Sequence, residues 1–279
     1  MTTRIPVIIP VLPWFADHSF NGTVIFPAVE TMLLLAKVAS KIVPDLQVTK
    51  MSQGSFSKLL EIPEGVSEIS ALVEYEETDE GFSCKLLSKI QFKKISRIKE
   101  HAAITFGCKS ADISPLSLQK REKGDLIIDA ARIYRELVPF GPTYRSITGE
   151  LHLRNTIAIA SLQAPKVAQK QEMEAIIGSP FPLDGAMHAA CVLGQCVADF
   201  VPFPVAFTER VIHKATVAGT EYSSIAQLMS QTEHELVFDL TIFETDGEPC
   251  ETIKGLQMRD VTGGLIKPAA DLPRLTAFP

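Results

Sequence analysis

Two long apolar stretches organise the chain, each opened by proline and followed by alternating segments. In the first, Pro27 leads into Ala28-Val29-Glu30-Thr31-Met32-Leu33-Leu34-Leu35-Ala36, and the pattern predicts a helix over 27–42. Its charged positions, Glu30, Lys37 and Lys41, form only a narrow stripe, so this helix is wrapped on most sides. Proline suits the first helical turn because its missing N–H has no intrahelical partner there. In the second, Pro180-Phe181-Pro182-Leu183-Asp184 opens a helix over 185–200 made mostly of Ala, Val, Leu, Cys and Met.

Between and after these stretches the period changes to two. Ile5 to Leu12 reads as an edge or entry strand, interrupted by Pro6 and Pro10. In 68–76, Ile69, Ala71, Val73 and Tyr75 alternate with Glu68, Ser70 and Glu74, which predicts a half-buried strand. Asp79-Glu80-Gly81 turns it into 82–92, and 101–108 is a further strand. Residues 129–137 read as a short helix, and strands are expected within 144–164 and over 205–217, 221–230, 234–243 and 249–260. Asp246-Gly247 marks a hairpin turn between the last two. The tail from 266 is expected to be loosely held. The plan is an apolar helix followed by an antiparallel sheet, made twice, which is an α+β architecture. The polar stretch 111–126 is the expected linker, between a first unit over 1–110 and a second over 127–279.

Composition narrows the functional classes. A length of 279 residues with 46% hydrophobic and 22% charged residues is that of a globular protein with a large core. The formal net charge of −6 argues against nucleic-acid binding, which needs a basic face. No apolar run is long enough to span a bilayer, and the first residues do not read as a signal peptide. Cysteines at 84, 108, 191, 196 and 250 show neither metal-ligand spacing nor a disulfide pattern, so buried thiols in a reducing cytoplasm are expected.

The candidate chemistry lies beside the two helices. His18 precedes Gly22 by four residues and Pro27 by nine. Gly22 permits close approach of another group to the backbone, and the N–H of Ala28, just past Pro27, is free to bind an oxyanion. Asp184 has two readings: a helix cap, or a general acid, which requires burial in an apolar cleft to keep it neutral. His188, one turn on, shares its helix face. His101, His152, His213 and His234 have no partners readable from sequence and are taken as structural. Lys93 to Lys99 reads as a solvated strand face, with docking of an acidic carrier protein as the alternative.

These residues resemble a known family. His18-Ser19-Phe20-Asn21-Gly22-Thr23-Val24-Ile25-Phe26-Pro27 is similar to the HxxxGxxxxP motif of polyketide synthase dehydratase domains, and Asp184-Gly185-Ala186-Met187-His188 to their DxxxQ/H motif. Phe140-Gly141-Pro142-Thr143-Tyr144 resembles their YGPxF segment, and Val201-Pro202-Phe203-Pro204-Val205 their LPFxW segment. The C-terminal hairpin, with Asp246-Gly247 and Ile253-Lys254-Gly255, fits as well. Three departures stand out. Ala28 replaces the glycine usual after the motif proline, the aromatics at 140 and 144 are exchanged, and Val205 replaces an aromatic.

The resemblance implies a double hotdog fold, with two helix-wrapped antiparallel sheets side by side and the site between them. It implies dehydration of β-hydroxyacyl thioesters to trans-2-enoyl thioesters, in polyketide or fatty acid synthesis. His18 would be the base and Asp184 the acid, supported by Gly22, Phe26, Pro27, Ala28, Gly141, Tyr144 and His188. It implies no cofactor or metal beyond the phosphopantetheine that carries the substrate. The partners implied are an acyl carrier protein, other synthase modules and a second copy of the chain in a homodimer. Two alternatives stay open: an aldol cyclase of the product-template kind using the same pair, and a non-catalytic acyl-binding hotdog. A hotdog thioesterase fits less well, since no further carboxylate beside Asp184 is evident in the sequence.

Overall fold

The computed structural model describes residues 1–92, 95–107, 113–167 and 171–278. In chain order the first half holds β1 (Thr3–Pro10), β2 (Ser19–Phe20), β3 (Thr23–Val24), α1 (Ala28–Ile42), β4 (Lys50–Ser55), β5 (Glu68–Thr78), β6 (Gly81–Phe92) and β7 (Ile95–Phe106). The second half holds β8 (Leu126–Asp129), α2 (Ala130–Arg132), β9 (Ile147–Arg154), β10 (Ile157–Gln163), α3 (Glu174–Ile177), α4 (Pro180–Val197), β11 (Phe203–Ile212), β12 (Glu221–Gln231), β13 (Glu235–Phe243) and β14 (Pro249–Arg259). The fold is α+β.

Twelve of the strands form one antiparallel sheet in the order β1-β5-β6-β7-β4-β11-β14-β13-β12-β10-β9-β8. The five from the first half are contiguous, and so are the seven from the second. They meet where β4 pairs with β11, from Ser55 opposite Ala206 to Lys50 opposite Val211. The two expected sheets are thus one hydrogen-bonded surface. β1 lies at one edge, as its prolines require, and the four-residue β8 at the other.

β4 is one of the strands that the sequence pattern does not announce. Lys50-Met51-Ser52-Gln53-Gly54-Ser55 has no apolar alternation, and Gln53 has φ +51, with the register against β7 shifting there. Both neighbours supply its hydrogen bonds, and Met51 is fully buried. Gly54 sits opposite Phe207, and a Cβ there would lie 2.1 Å from the Phe207 ring. Beside this seam Arg210 Nε donates to Glu251 Oε1 at 2.6 Å, with both side chains buried and the guanidinium against the sulfurs of Met32 and Met51.

α1 and α4 pack against one another, and all 18 residues of α4 are buried. α4 begins at Pro180 and ends at Val197, five residues earlier and three residues earlier than the pattern suggests. Pro180 and Pro182 fall inside its first turn, where their missing N–H groups cost nothing. The tail is not loose, contrary to expectation. Arg274 Nη1 donates to the carbonyls of Gln195 and Ala198, Leu275 N donates to Cys196 O, and Leu272 is buried. The unpaired carbonyls at the end of α4 are what hold it.

Lys93, Lys94, Cys108, residues 109–110 and the first two residues of the polar stretch, 111–112, lie outside the described residues. Leu116, further along that stretch, donates from its N–H to Thr241 Oγ1 at 2.9 Å and packs against Ile159, Ile225 and Phe243. The four described cysteines are free and buried. Among the described residues, no helix is long and apolar enough to cross a membrane.

Candidate active site

His18 is fixed by its own loop. A 3-10 turn over Pro13–Asp17 buries Trp14 and Phe15 and ends with the His18 N–H donating to Phe15 O at 3.0 Å. Asn21 and Gly22 (φ +48 and +78) then make a two-residue turn between β2 and β3. Two successive positive φ values are the signature of the tight hairpin turn that Asn-Gly favours. Ile25 N returns to His18 O at 3.0 Å, and His18 Nδ1 lies 2.9 Å from Ile25 O. A carbonyl can only accept, so Nδ1 carries the proton and Nε2 keeps a free lone pair. Burial lowers the His18 pKa, opposed by the charge of Asp184 and assisted by His188. The ring is therefore neutral and basic at Nε2.

Gly22 does not serve the close approach expected of it. It is exposed at the hairpin tip, with nothing within 4 Å of where a Cβ would stand. Phe26 is core, meeting the Phe15 ring edge-on at 5.4 Å. Pro27, at φ −66 and ψ 146, caps α1, and the N–H of Ala28 as its first residue has no intrahelical acceptor.

The close approach occurs instead at Gly141. Its N–H donates to Asp17 O at 2.7 Å, and a Cβ there would lie 2.2 Å from Asp17 Oδ1. Two residues on, the Thr143 N–H and hydroxyl both donate to Asp17 Oδ2, at 2.9 and 2.6 Å. Asp17 thus latches the 140–144 loop of the second half onto the residue before His18. The latch lays Phe140 on the His18 ring, stacked at 4.4 Å, and sets Tyr144 edge-on to it at 5.1 Å.

Asp184 lies in the second turn of α4, whose N-cap is Ser179, so the capping alternative falls away. It is buried, with 7% of its surface exposed, and its Oδ2 stands 3.0 Å from His188 Nε2, off the hydrogen-bond direction. A π-helical turn over Ile133–Leu137 turns Tyr134 inward. The Ile147 N–H donates to Tyr134 Oη at 2.8 Å, which leaves the tyrosine proton for His188 Nδ1, 3.4 Å away. Phe140 bridges the halves, with its centroid 4.4 Å from that of His18 and 5.1 Å from that of His188. Through Phe140 and His188 the imidazole of one half and the carboxyl of the other are brought to one cluster of aromatic rings.

The exchanged aromatics acquire a structural meaning. Phe140 offers a bare ring face to His18, while Tyr144 is fully buried. An open cleft of about 470 Å³, lined by Ala130, Ala131, Tyr134, Arg135 and Arg145, shares Tyr134 with the site. Among the described residues, no group of three or more His, Cys, Asp or Glu side chains is placed to hold a metal ion.

Residues 117–265, just over half of the chain, match the family described as the polyketide synthase dehydratase N-terminal domain. The chain belongs to this dehydratase family. Asp184 and His188 fall within the matched stretch, and His18 falls outside it. The architecture is the double hotdog of solved dehydratase domains. The dehydratase domain from the CurJ module of the curacin polyketide synthase superposes with a TM-score of 0.72 at 18% identity, covering 95% of this chain and 94% of that one. A trans-AT polyketide synthase dehydratase domain from Brevibacillus brevis gives 0.73 at 17% identity, covering 93% and 94%. An inactive mutant of CurJ dehydratase in complex with a compound gives 0.72 at 19%, covering 92% and 91%. At these identities the likeness is one of fold. No curated protein matches the chain in sequence.

Proposed function

We propose that this member of the dehydratase family removes water from β-hydroxyacyl thioesters carried on phosphopantetheine, giving trans-2-enoyl thioesters in polyketide or fatty acid synthesis. The observation that carries this reading is the tautomer of His18. With Nδ1–H committed to Ile25 O, Nε2 of a half-buried neutral imidazole is left free beside the aromatic cluster that reaches His188, the neighbour of Asp184. Nε2 takes the proton alpha to the thioester carbonyl. Charge builds on the carbonyl oxygen, which the N–H of Ala28 and the positive end of α1 stabilise. Asp184 gives its proton to the departing β-hydroxyl, and the C–O bond breaks to release water and leave the double bond. His188, fixed by Tyr134, orients the carboxyl. The substrate arm approaches along the cleft that ends on Tyr134.

An acyl carrier protein is the partner this chemistry requires. Other synthase modules and a second copy of the chain complete the proposed assembly. The test is incubation with β-hydroxybutyryl-pantetheine, read for the enoyl product by mass and absorbance. We expect turnover by the wild type and its loss by ~10²–10⁴-fold in both His18→Ala and Asp184→Asn. Wild-type protein that binds the thioester yet forms no enoyl product overturns the reading.

A further inference from the structure

A serine hydroxyl and an imidazole meet on β6 and β7, strands that carry none of the residues of the site above. Ser88 Oγ lies 2.8 Å from His101 Nε2, and His101 Nδ1 lies 3.0 Å from Lys58 O. The Lys58 carbonyl can only accept, so Nδ1 holds the ring proton and Nε2 is the acceptor. The Ser88 hydroxyl therefore donates to Nε2. His101, taken as structural from the sequence, is thus the middle member of a chain that runs from carbonyl to imidazole to hydroxyl. That is the order of a serine nucleophile, its base and the group that orients the base.

The sheet is irregular where this happens. Leu86 pairs with Ala102 and Leu87 with Glu100, so His101 is the extra residue of a β-bulge. A bulge re-aims a side chain without ending the strand. The imidazole is buried, with 5% of its surface exposed, whereas Ser88 is only half-buried. A dry base thus serves a hydroxyl that outside molecules can reach. Burial lowers the His101 pKa from 6.5, against the Lys58 carbonyl and assisted by the charge of Lys99. The ring is therefore neutral, and able to take a proton, at neutral pH. Lys99 stands opposite Ser88 in the strand register, and its Nζ donates to Leu59 O at 3.4 Å. An ammonium carries three N–H donors and this carbonyl takes one, so the same group can also steady an oxyanion formed beside Ser88.

We propose that Ser88 is a second nucleophilic site, which takes the acyl group from esters and thioesters and passes it to water. Ser88 Oγ bonds to the acyl carbon as its proton moves to His101 Nε2. The C–O or C–S bond to the leaving group breaks, and the leaving alkoxide or thiolate takes that proton. Water then attacks the acyl-serine and gives a proton to Nε2. The bond to Oγ breaks, the proton returns to Ser88 and the carboxylic acid departs.

A fluorophosphonate probe tests the nucleophile on the full chain, and p-nitrophenyl acetate and acetyl-pantetheine test turnover. None of the three has a β-hydroxyl to lose, so the outcome is independent of the dehydratase reading. We expect the probe on Ser88, located by peptide mass spectrometry, and release of acetate from both substrates. His101→Asn keeps a donor for the Lys58 carbonyl but removes the base. It should slow labelling and hydrolysis by ~10²–10⁴-fold, and Ser88→Ala should abolish both, with circular dichroism showing that each variant is folded. In the wild type the labelling rate should fall in acid with a midpoint below pH 6.5, since only the neutral imidazole accepts the proton. Wild-type protein that the probe leaves unmodified at Ser88 overturns the proposal, as does acetate release no greater than that of Ser88→Ala. So does a labelling rate that is constant between about pH 5 and 8, or one that folded His101→Asn shares with the wild type.

Discussion

At the scale of single residues, the site is a set of polar atoms whose partners are fixed or conspicuously missing. His18 is fixed. Because burial holds its pKa below the ordinary 6.5, the base stays unprotonated as the pH falls through that value. The acid limb of kcat/KM should therefore lie below pH 6.5, and a limb at or above that value would contradict a desolvated imidazole. Asp184 Oδ2 is the missing case, buried without a hydrogen-bond partner among the described residues. The sequence makes His18 and Asp184 legible because motif spacing carries them. It hides Asp17 and Tyr134, whose partners Thr143 and His188 are set by folding across 126 and 54 positions.

At the scale of elements, the 140–144 loop decides whether the imidazole is held flat. Its hold depends on a glycine that leaves room for a carboxylate. Gly141→Ala would drive a methyl into Asp17 and part the loop from the His18 turn. We expect a fall in kcat of tenfold or more with KM and the unfolding midpoint little changed, as about 1 Å of misplacement can cost ~10²-fold in rate. Steady-state kinetics with circular dichroism as control checks this. Both long helices and most long strands could be read from periodicity, since each has an apolar face to declare. β4 could not, because its side chains are mostly polar and its place is set by neighbours on either side. The early start of α4 was obscured by two prolines, which break a helix interior but suit a first turn.

At the scale of the whole molecule, the continuous sheet turns two helix-and-sheet units into one core. Its centre holds an ion pair where hydrophobic packing would be expected. Breaking a buried pair by removing one partner leaves an uncompensated charge and costs ~3–5 kcal/mol. Arg210→Leu should lower the urea midpoint accordingly, and restoring neutrality with Glu251→Leu in the same chain should recover much of the loss. If the double variant is no more stable than the single, the pair is not what holds the seam. The two-unit plan was legible from the recurrence of a proline-opened helix, but the fusion of the sheets was not, since it runs through a strand that periodicity misses.

The Asp17 latch also imposes an order in time. A chain released only as far as α1 already has its imidazole, but nothing yet presses that ring into line or supplies the opposing acid. Competence is the last property to arrive during folding, because it waits for residues more than a hundred positions downstream to close over the first loop. On the proposed function, a half-made protein is therefore inert toward its thioester substrate.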